Sequence, residues 1–169
     1  MKKLFTAGAA LAIVLFTATS SFAQATATAT ATATIVTPIS ISKTVDMNFG
    51  NVAVAGAAGT VILAPAGTRT FTGGITLPAV TGTVAAASFT VNGQGAYTYS
   101  ITLPSTALTL SSGLNSMTVD TFTSTPSATG TLSSGTQTLN VGATLNVGAS
   151  QAAGTYTSGT PFSVTVNYN

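Results

Sequence analysis

Apolar residues in this chain return at every second position, in runs too short for a helix. Ala87, Phe89 and Val91 alternate into Asn92-Gly93, a turn dipeptide of the kind that closes hairpins, and Tyr97, Tyr99, Ile101 and Leu103 alternate out of it and stop at Pro104. Phe162, Val164, Val166 and Tyr168 alternate to the C-terminus. A period of two places each set on one face of an extended strand. The same pattern recurs between turn signals. Val61-Ile62-Leu63 precedes Pro65-Ala66-Gly67, Leu108 and Leu110 precede Ser111-Ser112-Gly113, and Met117 and Val119 follow. Leu139 and Val141, then Leu145 and Val147, flank Gly142, and Gly154-Thr155-Tyr156 leads to Ser158-Gly159. No window holds a helical period over three turns. The 35 Thr and 17 Gly suit strands and turns rather than helices. Many short strands at this spacing predict an all-β sandwich. An outer-membrane barrel would need longer strands and aromatic girdles, and the chain has no Trp and only 4 Tyr.

The first residues read differently. Lys2 and Lys3 precede an uncharged apolar run from Leu4 to Phe16, and Ser21-Phe22-Ala23 ends it with small residues at the positions a signal peptidase reads. This layout predicts a secretory signal peptide over 1–23, cleaved before Gln24. The run is shorter than the roughly 20 residues of a spanning helix, and no later segment is longer, so no transmembrane helix is expected after cleavage. Cleavage would leave 146 residues, enough for one domain with a real core. The remaining charges are Lys43, Arg69, Asp46 and Asp120, which sum to zero. Such a chain cannot neutralise a row of phosphates, so no nucleic-acid partner is expected.

The same inventory argues against an enzyme. With no His and no Cys, imidazole and thiolate chemistry and the usual zinc ligands are missing. Asp46 and Asp120 are the only carboxylate side chains, Asp46 beside Lys43 at a turn and Asp120 in or beside a strand. No catalytic, metal or cofactor-binding residue is assigned, and no cofactor is expected.

The two termini carry the functional reading. Ala25 to Thr34 is Ala-Thr five times over, continued by Ile35-Val36-Thr37-Pro38-Ile39. Pro38 cannot donate to a ladder and divides an arm, 24–37, from a body, 38–169. Ala27, Ala29, Ala31, Ala33 and Ile35 share one face of the extended arm. Phe162, Val164, Val166 and Tyr168 mark the closing strand. An extended segment can add to an exposed sheet edge, as in pilus subunits assembled by a chaperone and usher. Residues 25–37 would extend roughly 40 Å at about 3.3 Å each, beyond a typical strand of about 17–20 Å. Three roles stay open for the arm: donation to a neighbour, completion of its own sheet, or a Thr-rich spacer.

Several stretches in order along residues 33–169 resemble a domain-of-unknown-function family of secreted bacterial proteins. They are Ala33-Thr34-Ile35-Val36-Thr37-Pro38-Ile39, Met47-Asn48-Phe49-Gly50-Asn51-Val52, Ala87-Ser88-Phe89-Thr90-Val91, Gly154-Thr155-Tyr156 and Val164-Thr165-Val166-Asn167-Tyr168. The Phe-Gly-Asn segment and the terminal Val-x-Val-x-Tyr are also similar to spore-coat-U-type and common-pilus fimbrial subunits. That resemblance implies an immunoglobulin-like sandwich, assembly by strand donation and no catalytic residues. The internal disulfide of many such pilins has no counterpart here. The expected function is an exported structural subunit of a surface filament, pilus-like fibre or coat. It would form a homo-polymer by strand exchange, handled by a periplasmic chaperone and outer-membrane usher. The alternative is a monomeric carbohydrate- or matrix-binding module, with Tyr97 or Tyr99 stacking on sugars. An ice-binding face is a third idea, but Thr-x-Thr pairs such as Thr121-Phe122-Thr123 follow no fixed period.

Overall fold

The structure is a computed structural model and describes residues 23–169. The signal-peptide segment lies almost wholly outside the described residues. The chain divides into two units, residues 1–34 and 35–169. In the first, described residues 23–34 carry no strand and are exposed. The second holds all the strands, and no helix occurs among the described residues.

The strands are β1 (Ser40–Val45), β2 (Asn48–Phe49), β3 (Ala53–Leu63), β4 (Arg69–Thr76), β5 (Val84–Ala85), β6 (Ala87–Asn92) and β7 (Thr98–Thr102). They continue with β8 (Leu108–Ser112), β9 (Asn115–Thr125), β10 (Thr129–Thr131), β11 (Thr136–Val147), β12 (Thr157–Ser158) and β13 (Thr165–Tyr168). Every pairing is antiparallel. The large sheet runs β1-β6-β11-β9-β8-β12, with β3 and β4 joined to it through β11. Two small sheets, β10-β7-β13 and β2-β5, complete the all-β sandwich.

β11 organises the molecule. Its residues 136–141 pair with β6 and 143–147 pair with β3 along one edge, while β9 runs along the other. Gly142 sits at the handover. A methyl group there would overlap the Leu63 carbonyl oxygen and crowd the Ala64–Pro65 backbone. Only a residue without Cβ lets the two half-sheets meet at this point. Gly142 therefore continues the strand rather than flanking two.

Two buried clusters follow from that division. Leu139, Val141, Ala87, Val91, Tyr99, Leu132 and Val166 form the one beneath β7 and β13. Ala143, Leu145, Val147, Val61, Leu63, Ile75, Val119 and Phe49 form the other. Phe122 and Met47 pack against both.

The structure corrects local expectations. Asn92-Gly93 is not a hairpin turn, because β6 lies in the large sheet and β7 in a small one. The connection arches between them, held by Gly93 N–H to Gly135 O at 2.9 Å and Ala96 N–H to Leu132 O at 2.8 Å. Arg69–Thr76, which the alternation did not mark, is a full strand. The closing ladder begins only at Thr165, so Phe162 and Val164 precede it.

Candidate association edge at the C-terminus

β13 pairs with β7 alone. The register runs Thr165↔Thr102, Val166↔Ile101, Asn167↔Ser100 and Tyr168↔Tyr99, and the Asn169 N–H donates to Thr98 O at 3.2 Å. Antiparallel ladders alternate between residues that exchange hydrogen bonds and residues that do not. Thr165, Asn167 and Asn169 thus face β7. The main-chain groups of Val166 and Tyr168 point to the opposite edge, where no strand is hydrogen-bonded among the described residues, although β1 comes within 8 Å of β13, Cα to Cα. The β7 side agrees, since Ile101 N–H turns away from β13 and donates to Ala128 O at 2.8 Å.

The side chains along this edge turn inward. Val166 is buried, and Phe162, Val164 and Tyr168 are half-buried against the same cluster. The Phe162 ring lies 5.1 Å from Phe122 and 6.4 Å from Phe89, centroid to centroid. Phe122 also lines a cleft of about 330 Å³ with Ile101, Leu103, Ser124 and Ala128.

The root of the arm is tied to the end of β13. The Tyr168 hydroxyl donates to Thr37 O at 2.7 Å and accepts the Gln94 N–H at 2.6 Å. Thr37 N–H donates to the Gln94 side-chain oxygen at 3.3 Å, which closes a three-residue ring. Gly93 makes room, because a methyl group there would strike the Tyr168 hydroxyl. Tyr97 stacks edge-on against Tyr168 at 5.6 Å. Sequence reasoning named Tyr168 but not Thr37 or Gln94. Neighbourhood in sequence could not find them, since Gln94 lies 74 and Thr37 lies 131 residues from Tyr168.

The arm's own residues are not drawn into the sheets. Ala27, Ala29, Ala31 and Ala33 are exposed and unpaired, and Ile35 is 93 % exposed. The structure thus places Val166 and Tyr168 on β13, packs Phe162 and Val164 from the segment before it against the same cluster, and leaves the five arm residues out of any ladder.

The charged side chains among the described residues are engaged locally. Lys43 pairs with Asp46 at 2.6 Å on the surface. Arg69 donates through one nitrogen to Phe49 O, and to Asn51 O at 3.0 Å, clamping the backbone around Gly50. Asp120 accepts from the Asn146 amide at 2.9 Å and from the Thr121 hydroxyl at 3.0 Å. Tyr99 is fully buried, and its hydroxyl donates to Gln137 at 2.8 Å. Burial pushes its phenol above the usual range. Of the two candidate sugar platforms, Tyr99 is core and Tyr97 is 44 % exposed.

In comparison with known families, the profile of a family described as a domain of unknown function, DUF4402, matches residues 39–168. No curated protein and no solved structure matches the chain.

Proposed function

We propose that this chain, which belongs to the DUF4402 family across most of its length, is an exported structural subunit that assembles with copies of itself by β-strand addition. The observation that carries this reading is the unpaired edge of β13, whose Tyr168 hydroxyl bonds Thr37, the residue from which the arm leaves the body.

The other edges are poorer sites for a strand. The free side of β1 carries the Lys43–Asp46 pair and a bulge between Lys43 and Val45. β4 is interrupted by Gly73 at φ 66. β10 and β12 span three and two residues. Charges, bulges and shortness are the devices that keep sheet edges from pairing. β13 has none of the first two, and its inward apolar side chains fix a register for an incoming strand. The arm offers main-chain groups for the ladder and small alternating Ala side chains for a shallow seat, with Ile35 as the bulky anchor.

The signal-like residues 1–23 support export, and the fimbrial resemblance supports handling by a periplasmic chaperone and outer-membrane usher. No chemistry is assigned to Asp46 or Asp120, which serve local pairing in this reading.

The test removes residues 25–35, which spares Thr37. The secreted material is run on a gel without boiling and imaged by negative stain. Loss of ladders and fibres is the expected result. Ladders that persist unchanged defeat donation by this arm.

A further inference from the structure

We infer that the Tyr168 hydroxyl is a latch coupling the acceptor edge of a subunit to the root of its own arm. The inference rests on the strand-addition reading for its consequence, though not for the latch itself.

Tyr168 faces two ways at once. Its main-chain groups lie on the free edge of β13, where an added strand would bond. Its side chain reaches the Gln94 N–H and the carbonyl of Thr37, the residue from which the arm departs. The ring is held by Tyr97 and by the space that Gly93 leaves. β13 is four residues long and paired on one side only, so it belongs to the part of a sheet that opens most readily. Pairing on the second side suppresses that opening and holds the Tyr168 ring in place. The Thr37–Gln94–Tyr168 ring then tightens, and the arm leaves from a fixed point. A subunit whose acceptor edge is filled therefore presents its donor arm in a defined position. Linkage makes the coupling reciprocal: loosening the latch weakens the edge's hold on a strand.

The experiment uses the full-length secreted protein, its Tyr168→Phe variant and a Tyr97→Phe control. The probe is a synthetic peptide of residues 25–35. Amide exchange is read at Gln94 and Thr37, and peptide binding is titrated.

Tyr168→Phe keeps the ring but strands the Gln94 N–H. Its exchange should accelerate about fivefold or more, as loss of one hydrogen bond implies, while Tyr97→Phe leaves it near wild type. In the wild type the peptide should slow exchange at both amides. In Tyr168→Phe that protection should vanish and peptide affinity should fall about fivefold.

Unchanged Gln94 exchange in Tyr168→Phe overturns the latch. Equal affinity and equal protection in both proteins overturn the coupling. A peptide that binds neither protein also overturns the coupling. In that case persistence of ladders after deletion of 25–35 shows whether strand addition by the arm has failed too, and the exchange result still reads the latch alone.

Discussion

Single residues in this molecule act mostly through space and hydrogen bonding, because so few carry charge. Gly142 is the clearest case. Gly142→Ala drives a methyl group into the backbone of residues 63–65, where neither side is a flexible side chain. A loss of about 1–3 kcal/mol is expected by urea unfolding, the usual range for overpacking. A methyl group on Gly56 would meet nothing within 4 Å, and the residue has no positive φ. Gly56→Ala should change stability by less than about 1 kcal/mol, stabilising if anything. Equal effects at the two sites would show that space at Gly142 is not the constraint. Tyr99 gives the pH dependence. Burial holds its phenol above the ordinary 10.0. As pH rises through that ordinary value, the unfolded chain loses this proton while the folded one keeps it. The unfolded state then binds fewer protons, so stability falls with rising pH. The contribution is complete below the unfolded value and is lost as pH climbs through the folded one. Tyr99→Phe should cost about 1 kcal/mol at neutral pH for the bond to Gln137 and should flatten the alkaline slope. Urea titrations between about pH 8 and pH 11 read both effects, and parallel slopes in the two proteins would refute the assignment.

At the level of elements, the parity of β13 makes a separable prediction. The Val166 N–H faces the free edge and bonds nothing in β7. Val166→Pro removes that donor while leaving the β7 ladder intact, since an edge strand tolerates proline where the N–H faces away from its partner. Assembly on unboiled gels should disappear although the variant still melts cooperatively. Assembly at wild-type level would mean that this edge accepts no strand. Alternation revealed this strand and β6, β7, β8, β9 and β11, because each has one face in a core and polar residues on the other. It did not reveal β4, where Phe71 is 50 % exposed and glycines occupy positions 73 and 74. An edge strand with one buried residue, Ile75, leaves almost no period to read. Alternation also misassigned Asn92-Gly93, since the dipeptide favours a reversal of direction but cannot say whether the chain returns within one sheet or crosses to another. That choice belongs to Tyr168 and Leu132, which pack on Gly93 from far along the chain. The alternation marks a closing strand, which pairs over Thr165–Tyr168, but not that its far side is unpaired, and the ring at Thr37 and Gln94 depends on contacts that no local pattern encodes.

For the molecule as a whole, the outer face of the large sheet shows how a protein with 4 % charged residues meets water. Thr72, Thr60, Asn146, Thr118 and Thr109 stand in register across five strands. The Thr60 and Thr72 hydroxyls bond at 2.8 Å, and Asn146 reaches Asp120. Hydroxyls and amides, not like-charge repulsion, keep this face wet. Among the described residues the formal charges sum to zero, so no net charge there opposes the approach of two copies, and Lys43 and Asp46 cancel each other at 2.6 Å. Association through β13 would rest on main-chain bonds and the apolar seat around Val166. Such contacts are nearly indifferent to screening, whereas charge-driven association weakens steeply as the Debye length contracts. Between about 0.05 M and 1 M sodium chloride, the apparent association constant should change by less than about threefold, and urea should dissolve the assemblies. Sedimentation across that series is the measurement. A fall of ten times or more would place the driving force in charges, and with it the partner surface somewhere other than the β13 edge.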